Sequence, residues 1–434
     1  MPYINEESTE CTKSELDLFA IHPTQTAIES SFLQELKPVS AIQNGGPFEF
    51  VIESSSEDFI DPTSLLVYAK IKVTRENGAP TQGGDVIALE NNALHTLFSQ
   101  VDVTLGGTVV SSSDQLYHHR AYMESVLSYG KDARDSFLRG EGLTFPNNFV
   151  GVDAVAERVT ARASVVNPSP FVEYFGRLRI DIAAQDRLLP NNSNIRIKLT
   201  RNKREIFFNT AAVGDPTHFE IEIADVSLLV RKVKVGSPAF LAISESLLTK
   251  NAKYPIKRVV MKTYTISQGS TSNNKEGLFG GVLPRRIVLG LVANAAFNGQ
   301  FHRSAFNYQH FHLNSLSVQV DGNIVTGKPL QMNFDDGLFT KAFLHTYNSM
   351  GKYDRDEGCV VSLDNFARGF ALFAFDLTPD KSQDACHLNL VHKGSISLDL
   401  SFTQALPETV NVVCLAEYES VIEVDNSRNF QIDW

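Results

Sequence analysis

Gly322-Asn323-Ile324-Val325-Thr326-Gly327-Lys328 follows a strand-like run with the spacing of a phosphate-binding loop. In such a loop backbone amides cradle phosphates and the lysine reaches the terminal ones. The next residue is Pro329, where magnesium binding requires a Ser or Thr hydroxyl. A hairpin turn followed by a proline-stiffened loop is therefore the expectation. His118-His119 and the group Cys386, His387 and His392 are the imidazole and thiol candidates. Zinc takes three or four ligands at defined spacing with outer support, and neither group supplies that. These histidines are expected at the surface or partly buried. Carboxylate pairs occur at Asp58/Asp61, Asp335-Asp336 and Asp354/Asp356. A glycosidase needs two carboxylates across a sugar, but nothing in the pattern assigns any of these to one cleft. Asp335 reads as a helix cap, and Arg134-Asp135 and Arg355-Asp356 as a repeated structural ion pair. Arg201/Lys203/Arg204 and Arg285-Arg286 read as solvated or interfacial cations, since they lack the interleaved aromatics of a nucleic-acid platform. No Gly-x-Ser-x-Gly elbow occurs. The expectation is no catalytic, cofactor-binding or metal-ligating residue.

The elements around these residues are mostly short β-prone runs. Phe48–Ile52, Leu65–Val73, Gln100–Leu105, Tyr174–Ile182, Asn194–Thr200 and Phe219–Val235 read as strands from alternation and β-branched or aromatic content. Val259–Ile266, Arg286–Val292, Leu316–Val320, Gly369–Asp376, Ser395–Phe402 and Val410–Val424 continue the series. Gly106-Gly107 suits a tight hairpin. Helices are expected over Gln115–Phe137 with Asp114 as cap, over Ser237–Leu248 with Ser237 as cap and Pro238 in the first turn, and over Leu338–Met350. Ser267–Gly281 reads as an exposed Gly/Ser/Asn loop. Many strands with few helices mean a sandwich or barrel.

Each half carries about eight such strands with one inserted helix, and eight strands in two Greek keys make a jelly roll. The fold class is therefore all-β, two tandem eight-stranded jelly rolls. The division is an N-terminal arm over 1–45, a first roll over 46–236, and a second roll with its tail over 237–434. The two halves also match residue by residue. Asp114, Ala121, Ser128, Gly130, Lys131, Arg134 and Asp135 fall without gaps on Asp335, Ala342, Ser349, Gly351, Lys352, Arg355 and Asp356. Val103–Val110 matches Val318–Val325 after a short insertion. A spacing of half the chain is far beyond a solenoid repeat of about 20–50 residues, so it marks a duplicated domain.

The totals fit this picture. The chain has 434 residues, net charge −11, 29 Phe and one Trp. The acidic balance disfavours a dedicated nucleic-acid binder, which needs a cationic face. Cys11, Cys359, Cys386 and Cys414 include no CxxC pair and read as free thiols of a reducing compartment. Residues 1–7 are acidic and lack the apolar core of a signal peptide.

Asp17–Glu29, Gly45–Phe50, Asp58–Asp61, Leu94–Val103, Tyr117–Gly130 and Phe375–Asp380 together resemble the major capsid proteins of Polinton/Maverick elements and adintoviruses. The resemblance covers most of the chain and is densest over 17–130. It implies a double jelly-roll capsid protein located in the virion capsid and made in the host cytoplasm. It also implies homotrimers of pseudo-hexagonal outline that tile an icosahedral shell around double-stranded DNA. The implied partners are the chain itself and penton and minor capsid proteins, with no sequence-specific nucleic-acid binding. The trimer contact would be heterologous and above about 2,000 Å². The arm and the tail after Val424 would tie neighbours together. Ser267–Gly281 and Arg139–Ala161 would lie at the outer end. Two readings stand beside it: a carbohydrate-binding or carbohydrate-active β-sandwich, disfavoured by the single tryptophan, and a minor virion protein, disfavoured by the duplication.

Overall fold

The structure, a computed structural model, describes residues 7–432 except 12, 20, 41–45, 83–84, 86, 112, 145–169, 211–218 and 383–386. The first half contains β1 (Ile28–Leu36), β2 (Phe48–Glu53), β3 (Asp58–Arg75), β4 (Ile87–Leu89), β5 (Phe98–Leu105), β6 (Thr108–Ser111), β7 (Phe171–Arg177), β8 (Asn194–Arg201), β9 (Phe208–Thr210) and β10 (Phe219–Val235). The second half contains β11 (Ala252–Ile266), β12 (Ser272–Val282), β13 (Arg286–Ala293), β14 (Leu313–Val320), β15 (Asn323–Ile324), β16 (Leu330–Gln331), β17 (Leu372–Asp376), β18 (Lys393–Phe402), β19 (Val410–Val424) and β20 (Phe430–Ile432).

Four main sheets result. The first half forms β1-β10-β3-β7 and β2-β8-β5-β6, and the second forms β11-β19-β13-β17 and β12-β18-β14-β15. Setting aside the short β4, β9, β16 and β20, each half has eight strands in the same two spatial orders: first-eighth-third-sixth and second-seventh-fourth-fifth. All pairings are antiparallel. The identical order in both halves is the structural counterpart of the residue match.

Alternation explains why these segments are strands. Val67, Ala69, Ile71 and Val73 of β3 and Ile195, Ile197 and Leu199 of β8 are buried between the sheets, while Arg196 and Lys198 face solvent. β13 is buried along its whole length, as expected of a strand flanked on both sides within its sheet and covered on both faces. Phenylalanine supplies much of the bulk: Phe48, Phe50, Phe98, Phe207 and Phe208 in the first core, and Phe279, Phe306, Phe366, Phe370 and Phe373 in the second.

Several expectations need correction. Residues 28–36, placed in the arm, form β1, which pairs with β10 from Ile28↔Val235 to Leu36↔Leu228. Most of Ser267–Gly281, expected as a loop, is β12, paired to β18 with an irregularity between Lys275 and Phe279. Its polar residues are tolerated because the outer edge of β12 is exposed. The helix expected over Gln115–Phe137 is three pieces, Tyr117–Ser128, Lys131–Asp135 and Phe137–Gly140. Asp114 is not its cap. Asp114 and Gln115 are both left-handed, at φ 43° and 62°, and Leu116 stands at the cap position. Ser237 is the first residue of its helix and Gly236 precedes it. The third helix is Thr340–Ser349, inside the expected bounds. Most of Arg139–Ala161 lies outside the described residues.

Register sets the start of β1 beside the end of β10 and the start of β11 beside the end of β19, and the Ser237–Leu247 helix joins the two pairs. The arm, the Ser237–Leu247 helix and the final hairpin therefore leave their sheets at one end.

Candidate assembly surfaces

The chemistry-bearing residues are scattered through scaffold roles. Asp321 and Gly322, both at positive φ, make the β14–β15 hairpin turn, and Gly327 closes a second turn onto Ile324. No helix follows, so the Gly322–Lys328 segment does not form a phosphate-binding loop. Asp335 bonds His312 Nδ1 at 2.8 Å and is not a helix cap; Asp336 accepts from Asn333 at 2.7 Å. Asp61 accepts the amide and hydroxyl of Thr63, and Asp58 accepts from Ser55. Arg134 and Asp135 pair in bidentate fashion at 2.7 and 3.0 Å. His387 pairs with Asp380 on the surface at 3.0 Å, while Cys386 lies outside the described residues. No cluster of three or more metal-ligating side chains occurs among the described residues.

Arg285 and Arg286 are buried rather than solvated. Arg286 meets Glu417 at 2.7 Å and Arg285 meets Glu419 at 3.2 Å. Burial works to raise the Glu417 carboxyl, but the Arg286 guanidinium beside it holds it below the usual range. Arg204 sits 3.9 Å from Glu220 beside a cavity of about 300 Å³ that Arg201 also lines.

His118 and His119 differ most from expectation. Both are fully buried at the junction between the halves. His119 Nδ1 is 2.8 Å from the Tyr308 hydroxyl, and its ring stacks on Phe297 at 5.2 Å. His118 lies against Phe306. Burial pushes His118 down to about 3 and His119 well below its ordinary value, so both are neutral imidazoles.

The junction is built around the Tyr117–Ser128 helix. Tyr122, Met123, Val126 and Leu127 join the hydrophobic core of the second half. Tyr122 stacks on Phe306 with centroids 4.3 Å apart and planes 4° from parallel. The carbonyl of Val126 accepts from the Val360 amide at 3.1 Å, and that of Leu127 from the Cys359 thiol at 3.0 Å. Gly130 has no side chain because a Cβ there would stand 3.2 Å from the Gly358 carbonyl. A charge network locks the arrangement. Arg120 bonds Glu124 at 2.8 Å and Asp181 at 2.7 Å, and Asp181 accepts the Val259 amide of β11 at 3.3 Å. The segment 178–193, between β7 and β8, thus lies on β11. Tyr254 donates to the Leu188 carbonyl at 2.9 Å, and Arg187 donates to the Lys253 carbonyl at 2.5 Å. A cavity of about 320 Å³ lined by Arg120, Arg179, Lys257 and Glu417 remains between the halves.

Among the exposed large apolar side chains are three groups that sequence reading did not single out. Phe32 and Leu33 protrude from β1, at 52% and 60% exposure. Leu344 protrudes from the Thr340–Ser349 helix. Leu388, Leu390 and Val391, before β18, reach 56%, 82% and 73% exposure. Asn389 between them is pinned through two hydrogen bonds to Glu419, at 2.7 and 3.0 Å. Apolar residues inside an inter-strand loop, Leu388-Asn389-Leu390-Val391, were the available signal.

Solved structures of low sequence identity share this architecture. The PBCV-1 virus capsid model aligns with a TM-score of 0.60 and 10% identity over 96% of this chain and 99% of that one. The mavirus major capsid protein aligns at 0.56 and 12%, over 100% and 96%. The cryo-EM structure of the Sputnik virophage gives 0.59 and 11%, over 100% and 94%. The fold is the double jelly roll of viral major capsid proteins. An uncharacterized protein of Caenorhabditis elegans is 24% identical over 421 residues, 94% of this chain and 99% of that protein. No family model matches the sequence. With the double jelly roll in place, the candidate site is a set of surfaces rather than a cleft.

Proposed function

We propose that this chain is a structural major capsid protein of the Polinton/Maverick and adintovirus type, without catalytic activity, whose place is the virion capsid. Three copies form a homotrimer of pseudo-hexagonal outline, and the trimers tile an icosahedral shell around double-stranded DNA. Penton and minor capsid proteins would occupy positions that a six-cornered object cannot fill. The observation that carries this reading is the repetition of one strand order in both halves of a chain whose fold is shared end to end with viral capsid proteins. Two similar wedges per chain give six per trimer, so a threefold object fits sixfold lattice positions. The N-terminal arm, which exposes Leu16, Leu18, Phe19 and Ile21, and the C-terminal tail are the proposed ties between neighbours. Mass measurement and negative-stain imaging of the purified protein test the reading. Threefold particles of about 144 kDa, three times the 48.0 kDa chain, or closed shells are expected. A chain that stays at 48.0 kDa at every concentration and pH would refute it.

A further inference from the structure

Where β10 ends and β11 begins, the two rolls and the helix that joins them enclose a recess of about 470 Å³, within the size range of small-ligand sites. Phe59 of β3 and Leu188 wall it from the first roll, Tyr254 of β11 from the second, and Ile243 and Leu247 from the Ser237–Leu247 helix. The Tyr254 hydroxyl is taken by the Leu188 carbonyl, so its ring meets the recess as an apolar surface. Phe59, Leu247 and Tyr254 are 4%, 6% and 4% exposed, and Ile243 is 38% exposed. The apolar wall therefore lies below the surface rather than forming a flat face on it.

The rim is cationic. Arg187 and Lys253 line it, and the charges of Arg187 and Arg428 both reach the Tyr254 hydroxyl. Lys253 pairs with Glu423 at 3.2 Å. Arg187 donates to the Lys253 carbonyl, and Arg428 donates to the carbonyls of Asn191 and Asn426 and to the Asn191 side chain. Neutral oxygens thus hold both guanidiniums in place and leave their charge undiminished. Of the nearby carboxylates, Asp186 lines the other cavity at the junction, and Asp425 is bonded by the Asn429 amide and side chain at 2.8 and 2.9 Å. A guanidinium meets a carboxylate through two parallel N–H···O bonds. An apolar recess below such a group fits a hydrocarbon chain that ends in an anionic head.

We infer that this recess binds a single-chain amphiphile of the fatty-acid class, its carboxylate on Arg187 and its chain between Phe59, Leu247 and Tyr254. A bilayer surface fits less well, because only a chain that has left its aggregate reaches walls below the mouth. Both rolls and the joining helix contribute to those walls, so a bound chain fastens the two halves and stabilises the folded state. The site is complete within one copy and does not depend on assembly.

The test titrates the full chain with dodecanoate, decanoate and dodecanol by calorimetry. Wild type should bind one dodecanoate per chain. Decanoate should bind about ten- to twentyfold more weakly for its two missing methylenes. Dodecanol, with a neutral head, should bind about ten- to hundredfold more weakly than dodecanoate. Arg187→Gln should weaken dodecanoate by the same factor and bring it level with dodecanol. Ile243→Asp changes an exposed position and sets a like charge at the mouth, so it should weaken dodecanoate at least about tenfold. Saturating dodecanoate should raise the unfolding midpoint of wild type and move that of Arg187→Gln less. Absence of saturable binding overturns the site, as does equal binding of dodecanoate and dodecanol by wild type. So does a wild type that ignores dodecanoate yet sediments with phosphatidylglycerol vesicles, which would assign the recess to a lipid surface. Binding that appears only after removal of residues 1–27 would assign it to the arm and overturn the amphiphile.

Discussion

Acidification from pH 7 to pH 5 should destabilise this fold through His118 and His119 before any carboxylate contributes. In the folded chain His118 lies against Phe306 and His119 against Phe297, Phe306 and Tyr308. Burial lowers His118 from 6.5 to about 3, and His119 is lowered well below 6.5 for the same reason. In the unfolded chain each binds a proton near pH 6.5 and the folded chain does not. Unfolding therefore takes up protons, and stability falls as pH drops below 6.5. At about 1.36 kcal/mol per pH unit per group, the step from pH 7 to 5 removes roughly 2 kcal/mol for each histidine. Against a typical total of about 5–15 kcal/mol the pair is a substantial share, and His310, which burial lowers to about 4, adds to the loss over the same window. The assay is urea unfolding of wild type and His119→Asn at both pH values. Asn keeps a donor toward the Tyr308 hydroxyl, and any pH-independent cost of the substitution cancels in the difference. The variant should lose about 2 kcal/mol less between pH 7 and 5 than wild type. Equal acid losses would refute the placement of these rings as buried neutral groups. Glu141 and Glu417 do not blur the window. Their folded values are depressed, so their contribution is complete above the ordinary carboxylate range and is lost only as pH falls through the folded values.

Three further outcomes are expected. Arg286→Met leaves the Glu417 carboxylate buried without its 2.7 Å partner and should cost about 3–5 kcal/mol in urea unfolding; adding Glu417→Leu should recover most of the loss. Gly290→Ala places a Cβ 2.5 Å from the Tyr308 ring and 2.8 Å from Leu372, so it should cost about 1–3 kcal/mol by overpacking, read from the same unfolding midpoint. Maleimide at pH 7 should modify Cys11, which is exposed, and spare Cys359 and Cys414 until the chain unfolds, as mass spectrometry of the labelled peptides will show. Burial raises the Cys359 thiol to about 11 and Cys414 further, so neither presents a thiolate.

Local pattern made the interior legible. β10 and β19 run over the expected residues because long alternation with β-branched side chains has only one reading at that length. The Gly106-Gly107 hairpin was equally clear, with φ of 54° and 95°. The duplication, visible in a few matched residues, predicted a repeated sheet order. Segments whose partners are remote in sequence were not legible. β1 is an exposed edge strand whose apolar residues Ile28, Phe32 and Leu33 stand exposed and do not alternate with its Ser, Gln and Glu, so its pairing with β10 leaves little periodic mark on the sequence. β12 is polar for the same reason. His118-His119 and Arg285-Arg286 look like surface pairs because charge and polarity are local properties. Their burial depends on Phe306, Tyr308 and Glu417, residues more than a hundred positions away. The candidate surfaces were illegible in a different sense: a protruding Leu390 and a core Leu398 are the same letter.

The divergence between the matched helices follows from what each meets within the chain. The Tyr117–Ser128 helix is covered by the second half. Such a face can hold groups that water would otherwise claim. His118, His119 and Arg120 sit there at 3%, 0% and 3% exposure, with Arg120 held between Glu124 and Asp181. Among the described residues the Thr340–Ser349 helix meets no second roll within its chain, and its matched face is correspondingly more polar. Phe343 and Tyr347 are half-buried, with the Tyr347 hydroxyl donating to the Val361 carbonyl at 2.7 Å, while Leu344 and Asn348 are exposed beside Lys341. Where Leu127 is buried the second half has Asn348, and where Val126 is buried it has Tyr347 with its hydroxyl satisfied, as burial of polar groups requires.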